Sequence, residues 1–236
     1  MSLDTAGLQT FVSEGLAALA NPADAGPMQA YLKTEMPFFG VKKPGRQPIR
    51  REAKKRFVPS SHDEWVAGIR ALWALPHREE KYHALEWGKD HRRRHLSMAS
   101  LPMIEALIRE GAWWDLVDTT VSYFLSPLAK AEPESMRPVL EAWIDDEDLW
   151  IRRSAIIAHN GHKGATDAAR LFDFCRRRAH EKEFFIRKAI GWALRDYSKT
   201  NPDAVLAFLH AESERLSGLS FREGAKQLRR DGRLNP

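Results

Sequence analysis

The sequence predicts an all-α protein assembled from stacked helix pairs, and three observations carry that expectation. Strand signals are nearly absent: alternating β-branched runs do not occur, and no two such runs are joined by an Asn-Gly turn. Amphipathic helical patterns instead follow one another, separated by short breaks rich in Pro, Gly, Ser or Asp. Segments of similar sequence also recur at a fixed spacing toward the C-terminus.

In chain order, the periodic segments place helices at 4–18, 24–35, 44–56, 61–75, 78–92, 97–110, 114–129, 134–145, 149–160, 164–179, 183–198, 202–215 and 219–230. Start signals support several of them. Ser61 and Asp63 stand at the head of EWVAGIRALW, and Pro133 opens PESMRPVLEAW. Asn201 is a good N-cap for the helix begun by Pro202, whose fixed φ suits the first helical position. The least regular segment is FFGVKKPGRQPIRREAKKRF (38–57). Its cations admit two readings, a solvated loop with a charged helix face or a basic strap on a nucleic-acid backbone.

The repeat lies further on. LWIRRSAIIA (149–158) aligns without gaps with FFIRKAIGWA (184–193), sharing Ile, Arg, a second basic residue and a small-apolar tail at an offset of 35. One period later LSFREGAKQL (219–228) keeps an aromatic-Arg pair, Phe221-Arg222, and one period earlier WDLVDTTVSY (114–123) matches in helix phase. A period of this size over paired helices is the signature of a HEAT-like α-solenoid. Its helix pairs cannot bury their apolar faces alone, so they stack into a continuous core with a concave groove, basic in this case. The expected organisation is one HEAT-like-repeat domain over 1–236, with N-terminal helices and the basic segment in 1–60 and tandem helix pairs over 61–230. The register places Asp118, Arg153 and Lys188 at one position of three successive units, with His83 one period before Asp118. If the second helices line the groove, these side chains form a ladder in which one carboxylate has cationic neighbours above it.

Composition narrows the classes. Lys and Arg number 37 against 32 Asp and Glu, a net charge of +5, and the pI is about 9.4. An arginine-rich excess suits a polyanionic partner or an unspecialised basic surface. One cysteine, Cys175, excludes an intrachain disulfide and a multi-cysteine metal site, and fits the reducing cytoplasm. The segment MSLDTAGLQTF lacks the basic and apolar regions of a signal peptide, and no apolar run approaches a membrane span. The expected location is the cytoplasm, with nucleoid association if the protein is bacterial. The histidines show no HExxH spacing, and P-loop, GxGxxG and GxSxG stretches are missing. No metal or cofactor is expected.

The stretch WWDLVD (113–118) raises a sharper question, because it holds two aspartates. Steps of 100° along its helix put Trp113, Val117, Val121, Phe124 and Leu128 on one apolar stripe, the core face. Asp115, Thr119 and Ser122 point the other way, which makes Asp115 a helix-start carboxylate favoured by the dipole. Asp118 lies on the shoulder with Trp114, four residues earlier. A carboxylate there costs desolvation unless compensated, and Arg153 is the candidate to compensate it. This could be a structural bridge between repeats or a site. In EFFIRKAIGWALRDY, Lys188, Trp192 and Arg195 stand at i, i+4 and i+7 with Phe185 on the same shoulder. Such a basic-aromatic stripe fits either nucleic-acid contact or one core tryptophan with snorkelling cations. Trp143 and Trp150 read as inter-helix packing.

Together PFFGVKKP, WWDLVD, LWIRRSAI, EFFIRKAIGWALRDYSKTNP and LSFREGAKQL, in this order and spacing, resemble the AlkD-like DNA alkylation-repair family, from about Tyr31 to Arg229. That resemblance implies a HEAT-like-repeat DNA glycosylase that excises N3- and N7-alkylated purines. It places Asp118 on the catalytic aspartate and Trp114 and Trp192 on the tryptophans flanking the lesion nucleotide. It also places Arg153 on the functional arginine of the groove and Tyr31 beside the lesion backbone. Phe185 and Arg195 match groove positions, and Lys188 takes a backbone-binding role. The implied enzyme acts on double-stranded DNA and leaves the modified base unflipped. No lysine is clearly placed as a Schiff-base nucleophile, so a monofunctional enzyme is expected, and a monomer. Two other classes stay open: a non-catalytic repeat protein that binds nucleic acid, and a protein-interaction scaffold.

Overall fold

A computed structural model describes residues 2–234. Among them are helices and turns and no strand. The packing divides into two compact units, one running to Ser100 and the other from Leu101 onward.

The first unit holds α1 (Thr5–Ala17), α2 (Pro22–Leu32), α3 (Lys43–Arg56), α4 (His62–Ala74) and α5 (Arg78–His95). Its core joins Leu8, Val12 and Leu16 of α1 to Trp65, Ile69 and Leu72 of α4 and Leu85 and Trp87 of α5. Each such side chain contributes about 1.5–3 kcal/mol on burial. The cap expected at Ser61 forms, its Oγ accepting from the Glu64 N–H at 3.2 Å. Helix α2 starts before the expected 24–35, because Asn21 caps it and Pro22 occupies its first position.

The second unit holds α6 (Leu101–Gly111), α7 (Trp114–Thr120), a π-turn (Val121–Leu125) leading into α8 (Ser126–Ala131), α9 (Pro133–Trp143), α10 (Leu149–Ile157), α11 (Ala168–Arg178), α12 (Phe184–Ser198), α13 (Pro202–Ala211) and α14 (Gly218–Arg230). The second helix of each pair packs on the next: α7 on α10, α10 on α12, α12 on α14. This is the helix-pair stacking that the repeat predicts. A Cβ at Gly191 would come within 2.4 Å of the Glu223 Cβ and 2.9 Å of the Ser220 carbonyl oxygen, so glycine is what lets α12 and α14 approach this closely. The cap at Asn201 also forms, accepting from the Ala204 N–H at 3.1 Å.

The expected helix over 114–129 is interrupted in its middle. Pro127 has no N–H to give to the carbonyl one turn back and would clash with it. The chain widens by one residue ahead of it, and the Ser126 N–H reaches the Val121 carbonyl. The expected helix over 164–179 likewise splits into a short 3-10 turn at Lys163–Ala165 and α11.

Candidate functional site

The core stripe of α7 is as its helical phase requires: Val117, Val121, Phe124 and Leu128 are buried. Trp113 is the N-cap residue and packs differently. Its ring meets Trp150 at 5.9 Å and Phe185 at 5.4 Å, and Trp150 meets Phe185 at 4.9 Å. Asp115 sits in the first turn of α7, where the dipole favours a carboxylate.

Asp118 projects from the last turn of α7 toward α10. Arg153 grips it through two parallel bonds, Nε to Oδ1 and Nη2 to Oδ2, both 2.8 Å long. The third guanidinium nitrogen donates to the carbonyl oxygen of Phe185 on α12. One arginine thus ties three successive second helices together, and the 35-residue register becomes a physical contact. The Arg153 side chain is 5% exposed and that of Asp118 17%, so the cation is the buried partner and the anion the open one. Burial pushes the Asp118 carboxyl above its ordinary value, Arg153 opposes that, and Asp115 adds to it.

The open side of Asp118 faces a pocket, which it shares with Val121, Ser122 and Ser126, with Ile157 at the end of α10, with Asn160 in the turn after it, and with Trp192 of α12. Asp118, Arg153 and Trp192 therefore gather at one place. Trp114 begins α7 one turn before Asp118 and is half-buried. The pocket's far wall is fixed by the turn after α10. The Ser126 hydroxyl donates to the Asn160 carbonyl at 3.1 Å, and the Gly161 N–H donates to Asp196 at 2.7 Å. Gly161 has a φ of 83°, open to glycine at no cost. Asn160 was not among the residues singled out from sequence, and its Nδ2 is buried without a partner.

The upper rungs of the ladder are arranged otherwise. Lys188 and Arg195 both reach Glu223 of α14, each at 3.0 Å, and Lys226 meets the same carboxylate at 2.6 Å. Burial raises the Glu223 carboxyl, but the bonds from Lys226 and Lys188 outweigh it and hold the group below its ordinary value. Glu223 was missed, although it stands 35 residues after Lys188 and is the fourth rung of the same register. Phe185 serves the site through its carbonyl and through its ring, which lies 5.9 Å from the Arg153 guanidinium and within the Trp113–Trp150 cluster. Tyr31 belongs to the first unit, on α2, with 76% of its surface exposed. In the basic segment, Arg46 lies 3.6 Å from Glu86 and over the Tyr82 ring, and Arg50 grips Asp90 at 2.9 Å. Two of the arginines that suggested a strap are thus held by α5. Among the described residues no group of three or more His, Cys, Asp and Glu side chains could hold a metal ion.

A stack of helix pairs that buries an arginine to present a carboxylate in a pocket beside a tryptophan defines a helical-repeat protein with a built polar site. Residues 12–228 match the family described as DNA alkylation repair enzyme. The chain belongs to that family, and its role lies in the repair of alkylated DNA. A solved structure described as a predicted DNA alkylation repair enzyme from Enterococcus faecalis is similar, with 30% identity over 89% of this chain and 96% of that one and a TM-score of 0.79. No curated protein matches the chain. Among the described residues no helix is long and apolar enough to cross a membrane.

Proposed function

We propose that this protein is a monofunctional DNA glycosylase that removes N3- and N7-alkylated purines from double-stranded DNA. The observation that carries this reading is the Asp118 carboxylate, held by Arg153 and open toward a pocket shared with Trp192. Alkylation at N3 or N7 makes the purine cationic, so the base leaves without a general acid. As the C1′–N bond breaks, its electron pair goes to the purine and positive charge moves onto the sugar. Asp118 stabilises that charge electrostatically and orients the water whose oxygen bonds to C1′, while the water's proton passes to the carboxylate and on to solvent. Trp192 and Trp114 add cation–π attraction. A single carboxylate suits a charged leaving group and suits neutral bases poorly. The resemblance to the family favours holding the backbone with the modified base left outside over flipping the base into a cavity. Lys188, Arg195, Phe185 and Tyr31 are the proposed DNA contacts, and Arg153, at the position of the groove arginine, acts on the DNA through Asp118.

A second reading has one observation in its favour: both oxygens of Asp118 are engaged by Arg153, as in a purely structural bridge. It makes the protein a binder of nucleic acid without chemistry. Duplex DNA carrying N7-methylguanine separates the two. Glycosylase action yields free N7-methylguanine and an abasic strand, whereas binding that falls with salt and yields no free base supports the binder.

A further inference from the structure

Helix α5 ends in Arg92-Arg93-Arg94-His95 and helix α11 in Arg176-Arg177-Arg178. Cations in a last turn complement the helix dipole, and on that ground the two ends are equivalent. Their surroundings differ. At the end of α11 every arginine meets carboxylates: Arg176 meets Glu212 at 2.7 Å, Arg177 meets Glu141 at 2.8 Å and also Asp145, and Arg178 meets Asp145 and Glu181. At the end of α5, among the described residues, neither Arg93 nor Arg94 has a hydrogen-bond or ion-pair partner, and both are exposed.

These two arginines line an open surface cavity together with Val58, Asp90, His91 and His95. Its one carboxylate, Asp90, is already held by Arg50 at 2.9 Å. The His91 ring lies 4.9 Å from that of Trp87, and its Nε2 is buried with no partner. His95 stacks on Trp65 at 6.2 Å. Burial holds the His91 imidazole below its ordinary value. Asp90 opposes this, while Lys54, His95 and Arg94 reinforce it. The cavity wall is thus cationic, with fork-shaped donors that no group of the protein satisfies. Fork-shaped guanidinium donors match the oxygens of a phosphate.

We propose that this cavity binds a phosphate group through Arg93 and Arg94, with His91 and His95 as additional donors. Its favoured source is a phosphodiester of a DNA backbone, an assignment that rests on the function proposed above. A free oligophosphate carries the same chemistry. The site lies wholly within the first unit and shares no residue with the Asp118 pocket.

The test uses the full chain and an undamaged duplex, so that base release plays no part. Binding is measured over a range of salt for the wild type and for Arg93→Ala/Arg94→Ala, both checked for unchanged melting. Inorganic tripolyphosphate is titrated in parallel, followed by the ring-proton NMR signals of His91 and His95. The proposal expects the double variant to bind duplex about ten-fold more weakly and to lose about 0.9 from the salt slope for each contact removed. Arg93→Lys/Arg94→Lys should recover part of both. If duplex binding is unchanged, or absent even in the wild type, but the variant loses the tripolyphosphate response, the site stands with a free phosphate as ligand. If the variant matches the wild type in both titrations, or the wild type responds to neither probe, the proposal is overturned.

Discussion

Arg152 and Arg153 are consecutive residues of α10, and each grips a carboxylate through Nε and Nη2 while Nη1 donates to backbone carbonyls. Arg152 holds Glu181 at 2.9 Å, and Arg178 approaches the same carboxylate at 3.4 Å. In that pair the side chains are 13% and 10% exposed, so neither partner is the open one. Arg153 holds Asp118 with the cation at 5% and the anion at 17%, and the anion faces a pocket. The bonding is the same in both, and the surroundings decide what each pair offers. Glu181 is closed in by a second arginine and fastens the loop ahead of α12. Asp118 has an open side, and there the arginine fixes a charge that something else can meet.

If that contrast is right, mutations on the two sides of α10 should separate stability from chemistry. The largest effect is expected for Arg153→Met. It strands the Asp118 carboxylate and unties α7, α10 and α12, costing about 3–5 kcal/mol in urea unfolding along with nearly all base release. Arg152→Met leaves Glu181 with Arg178, so about 1–2 kcal/mol should be lost, with the rate per folded molecule close to wild type. A collapse of base release in that variant would erase the contrast. Trp192→Ala removes an aromatic face from the pocket and should slow base release about ten-fold, with melting little changed, since the indole is half-buried.

The smallest effect is one of pH. Catalysis needs the ionised carboxylate, and burial raises the Asp118 carboxyl above its ordinary value of 3.8. Activity should therefore fall as pH drops through that raised value, on a limb lying above the usual carboxylate range. The link to stability has the opposite sign: a raised carboxyl favours the folded state at low pH, and that contribution is lost as pH rises through the raised value. An acid limb at or below 3.8 would mean that Arg153 outweighs burial at this site.

Much of this was legible in the sequence. The 35-residue register placed Asp118 against Arg153, and the helical phase of WWDLVD chose Asp118 over Asp115. Caps at Ser61 and Asn201 fixed two helix starts. Other features depend on contacts that a one-dimensional pattern does not hold. The π-turn arises because Pro127 cannot supply a bond, which periodicity alone reads through. Glu223 shares the register, but the last repeat was aligned on its aromatic-Arg pair and not on the position that bears charge. Arg46 and Arg50 look like free cations until α5 brings Glu86 and Asp90 against them. The arginine runs ending α5 and α11 are nearly identical as text and differ only in which carboxylates fold beside them.

The most direct test compares Asp118→Asn with Glu181→Gln in single-turnover base release from duplex DNA carrying N7-methylguanine, with enzyme in saturating excess. Both changes keep the side chain's shape and remove its charge. The account predicts that Asp118→Asn slows base release at least about 100-fold per folded molecule, beyond the stability lost by leaving the buried Arg153 cation uncompensated, and that Glu181→Gln releases base within about two-fold of wild type per folded molecule. Equal rates for Asp118→Asn and wild type would contradict it and leave the Asp118–Arg153 pair as a structural bridge.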